Sequence, residues 1–166
     1  MRSDRPRAVI DTQVWVFVFE RESLHAFESK QPYRAILEAL ANGQFTPVFS
    51  PETLDELQYM LTKSKAIAQR FNIDVTLAAY FIDAISSVDV GAIVVDIGEP
   101  QRICSDPDDD AFIETAIAGK ARYLVSEDAD LHEDAVKRHL ATHGIRVVYP
   151  KQFRKILEAT KKHGPA

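Results

Sequence analysis

A single cysteine, Cys104, stands in the 166 residues. One thiol excludes an internal disulfide framework and fits a reducing cytosol; Cys104 reads as a small buried hydrophobe. Long apolar runs are missing as well, and none approaches the roughly 20 residues that a membrane span needs. The N-terminus, Met1-Arg2-Ser3-Asp4-Arg5-Pro6-Arg7, is polar and leads into only a short apolar run, so it does not read as a secretory signal. A cytoplasmic location is therefore expected. No repeat, low-complexity tract or long linker interrupts the chain. Its length suits one domain over 1–166, with a core from about 7 to 157, a short polar N-terminus and a basic tail. No histidine or cysteine accompanies the acids at metal-ligand spacing, so a cation bound among them would be held by oxygen.

Positive charge is also in short supply. The formal net charge is −5, which taken alone argues against a nucleic-acid partner. The acids are bunched in a few places, however, and divalent ions held there would cancel part of the charge. The basic residues gather at Lys63, Lys65 and Arg70 and in the tail at Lys151, Arg154, Lys155, Lys161 and Lys162. Such runs also suit plain solvated helix faces.

What the chain does have is acid in concentrated form. Asp106-Pro107-Asp108-Asp109-Asp110 puts four carboxylates within five residues. Two readings compete. Asp106 as N-cap, Pro107 at the first helical position and acids in the first turn make a helix start that needs no function. Alternatively, the cluster holds a cation. Asp109 favours the second reading, because helical spacing places it on the stripe of Phe112, Ile113 and Ala116 that must meet the core. Asp110 falls at the margin of that stripe.

In chain order, Ala8–Ile10 is expected as a strand ended by Asp11. Thr12–Glu20, apolar nearly all round, reads as a helix on the sheet, with a strand as the alternative. Ser23–Lys30 is expected to be a loop or short turn, and Tyr33–Asn42 a helix closed by Gly43. Pro47–Phe49 is a second strand, and Ser50-Pro51-Glu52-Thr53 starts a helix to about Thr62, with Leu54, Leu57 and Leu61 buried and Glu56 on the flank. Helices continue over Lys63–Phe71 and Val75–Ser86, the latter with a stripe of Leu77, Tyr80, Phe81 and Ile85. Ala92–Val95 is a strand and Ile97–Ser105 a connection. The acidic helix runs to about Gly119, and the strand Tyr123–Ser126 leads to Asp128. Leu131–Thr142 is helical in one or two pieces, Ile145–Val148 the last strand and Pro150–Lys161 a closing helix. This alternation predicts a three-layer α/β/α sandwich with a mostly parallel sheet.

In such sheets the working crevice lies outside the carboxyl ends of the strands. Asp11, Glu56, Asp109 and Asp128 all occupy strand exits or helix entries, so the topology predicts that they share one rim. Carboxylates so crowded raise each other's pKa unless a cation is present, and oxygen-only ligands select hard ions such as Mg²⁺ or Mn²⁺. Such ions support phosphodiester hydrolysis.

Val9-Ile10-Asp11-Thr12-Gln13-Val14, Ser50-Pro51-Glu52-Thr53-Leu54-Asp55-Glu56-Leu57, the acidic run, and Leu124-Val125-Ser126-Glu127-Asp128-Ala129-Asp130-Leu131 together resemble the PIN-domain nucleases. Within these they are most similar to the toxin–antitoxin branch of VapC-like ribonuclease toxins. The resemblance covers nearly the whole chain and implies a Mg²⁺- or Mn²⁺-dependent endoribonuclease. It also implies an RNA substrate, a cognate antitoxin protein and a homodimer. The family's metal-binding and catalytic acids carry over to Asp11, Glu56, Asp109 and Asp128, with Asp110 and Asp130 as secondary ligands and Gln13 and Ser126 as orienting residues. Two departures stand out: Gln13 where the family has Asn, and Ser126-Glu127-Asp128 where it has Thr-Gly-Asp or Thr-Arg-Asp. They motivate an alternative, a catalytically weak PIN scaffold that binds RNA or a protein partner. An aspartyl-phosphate phosphatase would want a second acid at position 13, which is Gln.

Overall fold

The structure, a computed structural model, describes residues 5–23, 31–99, 103–104 and 106–162; the loop or turn expected over Ser23–Lys30 lies outside these except for Ser23, which ends a helix. Five short strands, β1 (Arg7–Ile10), β2 (Thr46–Phe49), β3 (Ile93–Val94), β4 (Tyr123–Val125) and β5 (Arg146–Val148), form one sheet in the order β3-β2-β1-β4-β5. Every pairing is parallel. Helices α1 (Thr12–Ser23) and α2 (Gln31–Ala41) join β1 to β2. Helices α3 (Pro51–Thr62), α4 (Lys65–Phe71) and α5 (Val75–Ile85) follow β2. The later crossovers are α6 (Asp110–Ala118) and α7 (Asp134–Ala141), and α8 (Pro150–Lys162) closes the chain.

The period-2 alternation of the strands divides the interior into two cores. Ala8, Ile10, Phe49, Tyr123, Val125 and Val148 face α1, α2, α3, α5 and α8. Val9, Val48 and Leu124 face α6 and α7. This is the expected three-layer sandwich. Burial on both sides explains why the strands read as continuous apolar runs. It also explains α1, where Val14, Trp15, Val16, Val18 and Phe19 are all buried; a helix wrapped on several sides needs no polar face.

One expected stripe is corrected. On α5, Leu77 and Tyr80 are exposed, while Ala78 and Ile85 are buried and Phe81 and Ile82 pack on the core. The helix is rotated toward Ala78, Ile82 and Ile85, because small Ala78 permits a close approach to α3. The acidic helix also begins differently, with a 3₁₀ turn over Pro107–Asp109 before α6 proper. A second 3₁₀ turn, Ala129–His132, precedes α7.

The sequence runs outward from β1 to β3, then returns to β4 on the other side of β1. The switch point therefore lies between β1 and β4, where Ile10 pairs with Val125. Asp11 and Ser126, the next residues along, stand side by side at the carboxyl edge. The backbone continues the ladder there: Asp11 N donates to Val125 O at 2.9 Å and Ser126 N to Val148 O at 3.0 Å.

The start of α3 is tied to α6 across the sheet edge. Ser50 and Thr53 form a reciprocal cap, Thr53 N donating to Ser50 Oγ at 3.3 Å and Ser50 N to Thr53 Oγ1 at 2.9 Å. The hydroxyls of Ser50 and Thr115, both fully buried, lie 2.8 Å apart in a hydrogen bond. Helices α3 and α6 carry Glu56 and the turn bearing Asp109, so this bond sets the spacing of those two acids.

Gly119, at the end of α6, has an ordinary backbone conformation. It is needed for space: a Cβ there would lie 2.3 Å from Val48 Cγ1 and 3.0 Å from Thr115 O. Val48 is itself buried in the core, so it has nowhere to retreat. Gly119→Ala is expected to destabilise the fold by about 1–3 kcal/mol, the usual range for overpacking. Urea denaturation followed by circular dichroism measures this; an unchanged midpoint would contradict it.

Candidate metal centre

At the switch point the carboxyl edge opens into a cavity of about 290 Å³. Asp11, Glu56, Asp106, Asp108, Asp109 and Asp128 all line it. The topology accounts for the convergence. Asp11 leaves β1, Glu56 sits one turn into the helix after β2, the Asp106–Asp109 turn opens the helix before β4, and Asp128 follows β4.

Ser126 ties two of these acids together. It is fully buried; its Oγ donates to Asp11 Oδ2 at 2.7 Å and accepts from Asp128 N at 2.9 Å. Its carbonyl accepts from His132 Nε2 at 2.7 Å, and the His132 ring stacks on Tyr149 with centroids 3.7 Å apart. Asp128 Oδ1 accepts from Asp130 N at 3.0 Å, capping the turn that follows. On the other side, Thr12 Oγ1 donates to Glu56 Oε2 at 3.1 Å.

Gln13 lines the cavity too, but its side chain is exposed. Its contribution to Asp11 comes from its backbone N–H. The side-chain hydrogen bonds to the acids here come from Ser126, on Asp11, and from Thr12, on Glu56.

Asp109 and Asp110 separate clearly. Asp110 is the more deeply buried, at 1% exposed, yet it does not face the cavity. Its Oδ1 accepts from Ile103 N at 3.1 Å and Cys104 N at 2.8 Å, fastening the connection that precedes the acidic turn. Asp109, at 7% exposed, does face the cavity, and its Oδ2 is buried without a hydrogen-bond partner. A buried carboxylate oxygen left bare costs free energy unless something positive meets it.

Asp130 joins from the side. Oxygens of Asp106, Asp109 and Asp130 lie within 4.8 Å of one another. Asp106 was legible in the sequence only as an N-cap, and it is one, with Oδ1 accepting from Asp108 N at 3.0 Å. Its place in this triad depends on Asp130 returning from beyond β4, which local spacing does not reveal.

The electrostatics follow from burial and crowding. Asp109 is pushed up to about 8, by burial first and then by the charges of Asp128, Asp11 and Asp106. Glu56 is pushed up to about 7, again by burial, with the Thr12 hydrogen bond opposing and Asp11, Asp108 and Asp106 adding to the rise. Asp11 is raised because burial outweighs the hydrogen bonds from Ser126 and the backbone of Gln13 and Thr12. Partial burial and the charges of Asp128, Glu133 and Asp106 raise Asp130.

All these shifts have one sign, so in the absence of cations the ionised cluster opposes folding. Between the ordinary carboxylate range, near 4, and the raised values of about 7 and 8, the folded chain holds protons that the unfolded chain has released. Stability is full below that window and falls as pH rises through it. In the presence of chelator, Asp109→Asn is expected to raise the melting temperature at pH 8.5 by a few degrees, roughly 2–4 °C for each kcal/mol relieved. At pH 5, low in that window, where the unfolded chain has released its proton but little stability has yet been lost, the rise should be clearly smaller. Thermal melts at both pH values test this; equal shifts would remove the electrostatic account.

A family model described as the PIN domain matches residues 7–130, well over half of the chain. None of the curated proteins is significantly similar to it.

Proposed function

The chain belongs to the PIN domain family, and from that premise we propose that it is a divalent-metal-dependent endoribonuclease acting on RNA. The observation that carries this reading is Asp109. Its bare, buried Oδ2 stands amid carboxylates that all line one cavity. Oxygen-only donors of this kind favour hard ions such as Mg²⁺ or Mn²⁺. Asp11, Glu56, Asp109 and Asp128 would hold the metal, with Asp106 and Asp130 beside them. Asp110 stays with the backbone that it already fastens.

A bound divalent ion supplies positive charge to the phosphate and acidifies a water near neutral pH. The protein's own part is positioning. Ser126 fixes one oxygen of Asp11 and the backbone of Asp128, and Thr12 fixes one oxygen of Glu56. Burial of Asp11 and Asp109 keeps competing water from their oxygens and strengthens their hold on a cation. Residues that orient ligands in this way typically change metal affinity by 10–100-fold.

The finer assignment, a toxin restrained by an antitoxin protein, is supported by the resemblance of the four motifs to VapC-like toxins. On this reading, induced expression in a host cell arrests growth, and expression of an Asp109→Asn chain does not. Self-association belongs to the same reading and is supported by large apolar side chains left in water. Leu77 and Tyr80 on α5 are 54% and 69% exposed. Among the described residues no helix is long and apolar enough to cross a membrane.

Cleavage of mixed-sequence RNAs with Mn²⁺, and its absence with chelator, is the direct test. Asp11→Asn should lower the rate by more than about 100-fold with the circular dichroism spectrum unchanged. Ser126→Ala should weaken Mn²⁺ binding about 10–100-fold by calorimetry. Metal-independent cleavage, or full activity in Asp11→Asn, would overturn the assignment.

A further inference from the structure

The lining of the cavity is of two unlike kinds. Besides the acids, α4 contributes Ile67, Arg70 and Phe71, α1 contributes Phe17 and α3 contributes Met60. Phe17, Met60, Ile67 and Phe71 are all half-buried, so each leaves apolar surface open to the cavity. A site that did no more than hold a hydrated cation would have no use for such a wall.

Arg70 is the one basic residue lining the cavity among the described residues. Among the described residues it forms no ion pair with the acids of the cavity. Its guanidinium instead lies 5.0 Å from the centroid of the Phe71 ring. Phe71 in turn meets Phe17 edge to face, centroids 6.1 Å apart and planes at 89°. The aromatic pair thus holds a cation whose hydrogen-bonding fork is free, beside an apolar surface of ring size. Lys63 and Lys65, both exposed, continue the positive charge along the approach to α4.

We propose that the Arg70–Phe71 wall is a nucleotide subsite: its apolar face takes an unstacked base, and Arg70 takes the phosphate next to it. Arginine matches phosphate through its planar fork, and aromatic surfaces take bases with little regard for sequence. A cavity of about 290 Å³ is at the small end of ligand sites. That is room for about one splayed nucleotide. The consequence is a requirement for single strands. RNA and DNA share the chemistry that this wall reads, and the 2′-hydroxyl must separate them elsewhere. The subsite rests on the nuclease reading only for which nucleic acid enters.

Fluorescence anisotropy with labelled 12-nucleotide strands tests the subsite without catalysis, using an Asp109→Asn background in Mg²⁺ buffer. Single strands should bind at least tenfold tighter than the duplex of the same sequence. Phe71→Ala should weaken single-strand binding about tenfold or more. Arg70→Ala, at an exposed position, should reduce the slope of log affinity against log salt by about 0.7, while Arg70→Lys keeps most of the slope. Mn²⁺ calorimetry on Phe71→Ala and Arg70→Ala, each without the Asp109 change, should match the unaltered chain, which also shows that each variant has folded. Equal binding of duplex, or unchanged affinity and salt slope in both variants, overturns the subsite whatever the metal data say. Tighter binding of the RNA strand assigns RNA as the occupant. A DNA strand that binds as tightly, and still loses affinity in Phe71→Ala, keeps the subsite and overturns the RNA half of the nuclease reading.

Discussion

Like charges in a poorly hydrated place repel strongly, and this chain brings six carboxylates to one cavity at the edge of its sheet. Burial first, and the charges of neighbouring carboxylates after it, displace Asp11, Glu56, Asp109 and Asp130 upward. Among the described residues nothing basic stands among them to relieve the repulsion. Arg70 shares the cavity yet stays on Phe71. A fold keeps such an arrangement only if its remaining parts are stable enough to carry the load, and the rest of the structure is arranged to do so.

The load is carried by short hydrogen bonds at the strand exits and by the close-packed sheet behind them. Ser126 joins the ends of β1 and the β4 loop through one hydroxyl. The Ser50–Thr115 bond joins the helices that bring Glu56 and Asp109. Asp110 gives both its burial and its carboxylate to the connection before the acidic turn. Each fixes backbone near an acid without neutralising it. The carboxylates are therefore held in place and left electrostatically unsatisfied, the state in which a hard cation gains most from binding.

The division of the cavity gives this charge a direction. Among the described residues its lining joins acids to apolar side chains and one arginine. A phosphodiester is anionic at its backbone and flat and apolar at its bases, so the two kinds of lining match the two halves of a nucleotide. The net charge of −5 is no obstacle on this view, since the negative charge is concentrated where metal would meet it.

Much of this was legible in the sequence because it is written in local periodicity. Strand–helix alternation gave the layered sandwich, and the strand exits at Asp11 and Asp128 and the helix entries at Glu56 and Asp109 gave the shared rim. The capping box at Ser50 and the burial of Asp109 were also readable, from residue types and helical spacing. Other features depend on contacts between distant segments. Asp110 reads as a neighbour of Asp109 on one stripe, and only packing against Ile103 and Cys104 turns it away from the cavity. Leu77 and Tyr80 read as core until the rotation of α5 on α3 leaves them in water. Asp106 reads as a cap until Asp130 arrives beside it, and Arg70 reads as one charge in a solvated run until α4 folds over the acids. The sequence alone determined which residues carry charge and at which edge of the sheet they emerge, because backbone period and the alternation of strands with helices follow from nearby residues. Tertiary structure decided which carboxylate oxygens stay bare and what faces them, because those depend on side chains brought together from opposite ends of the chain.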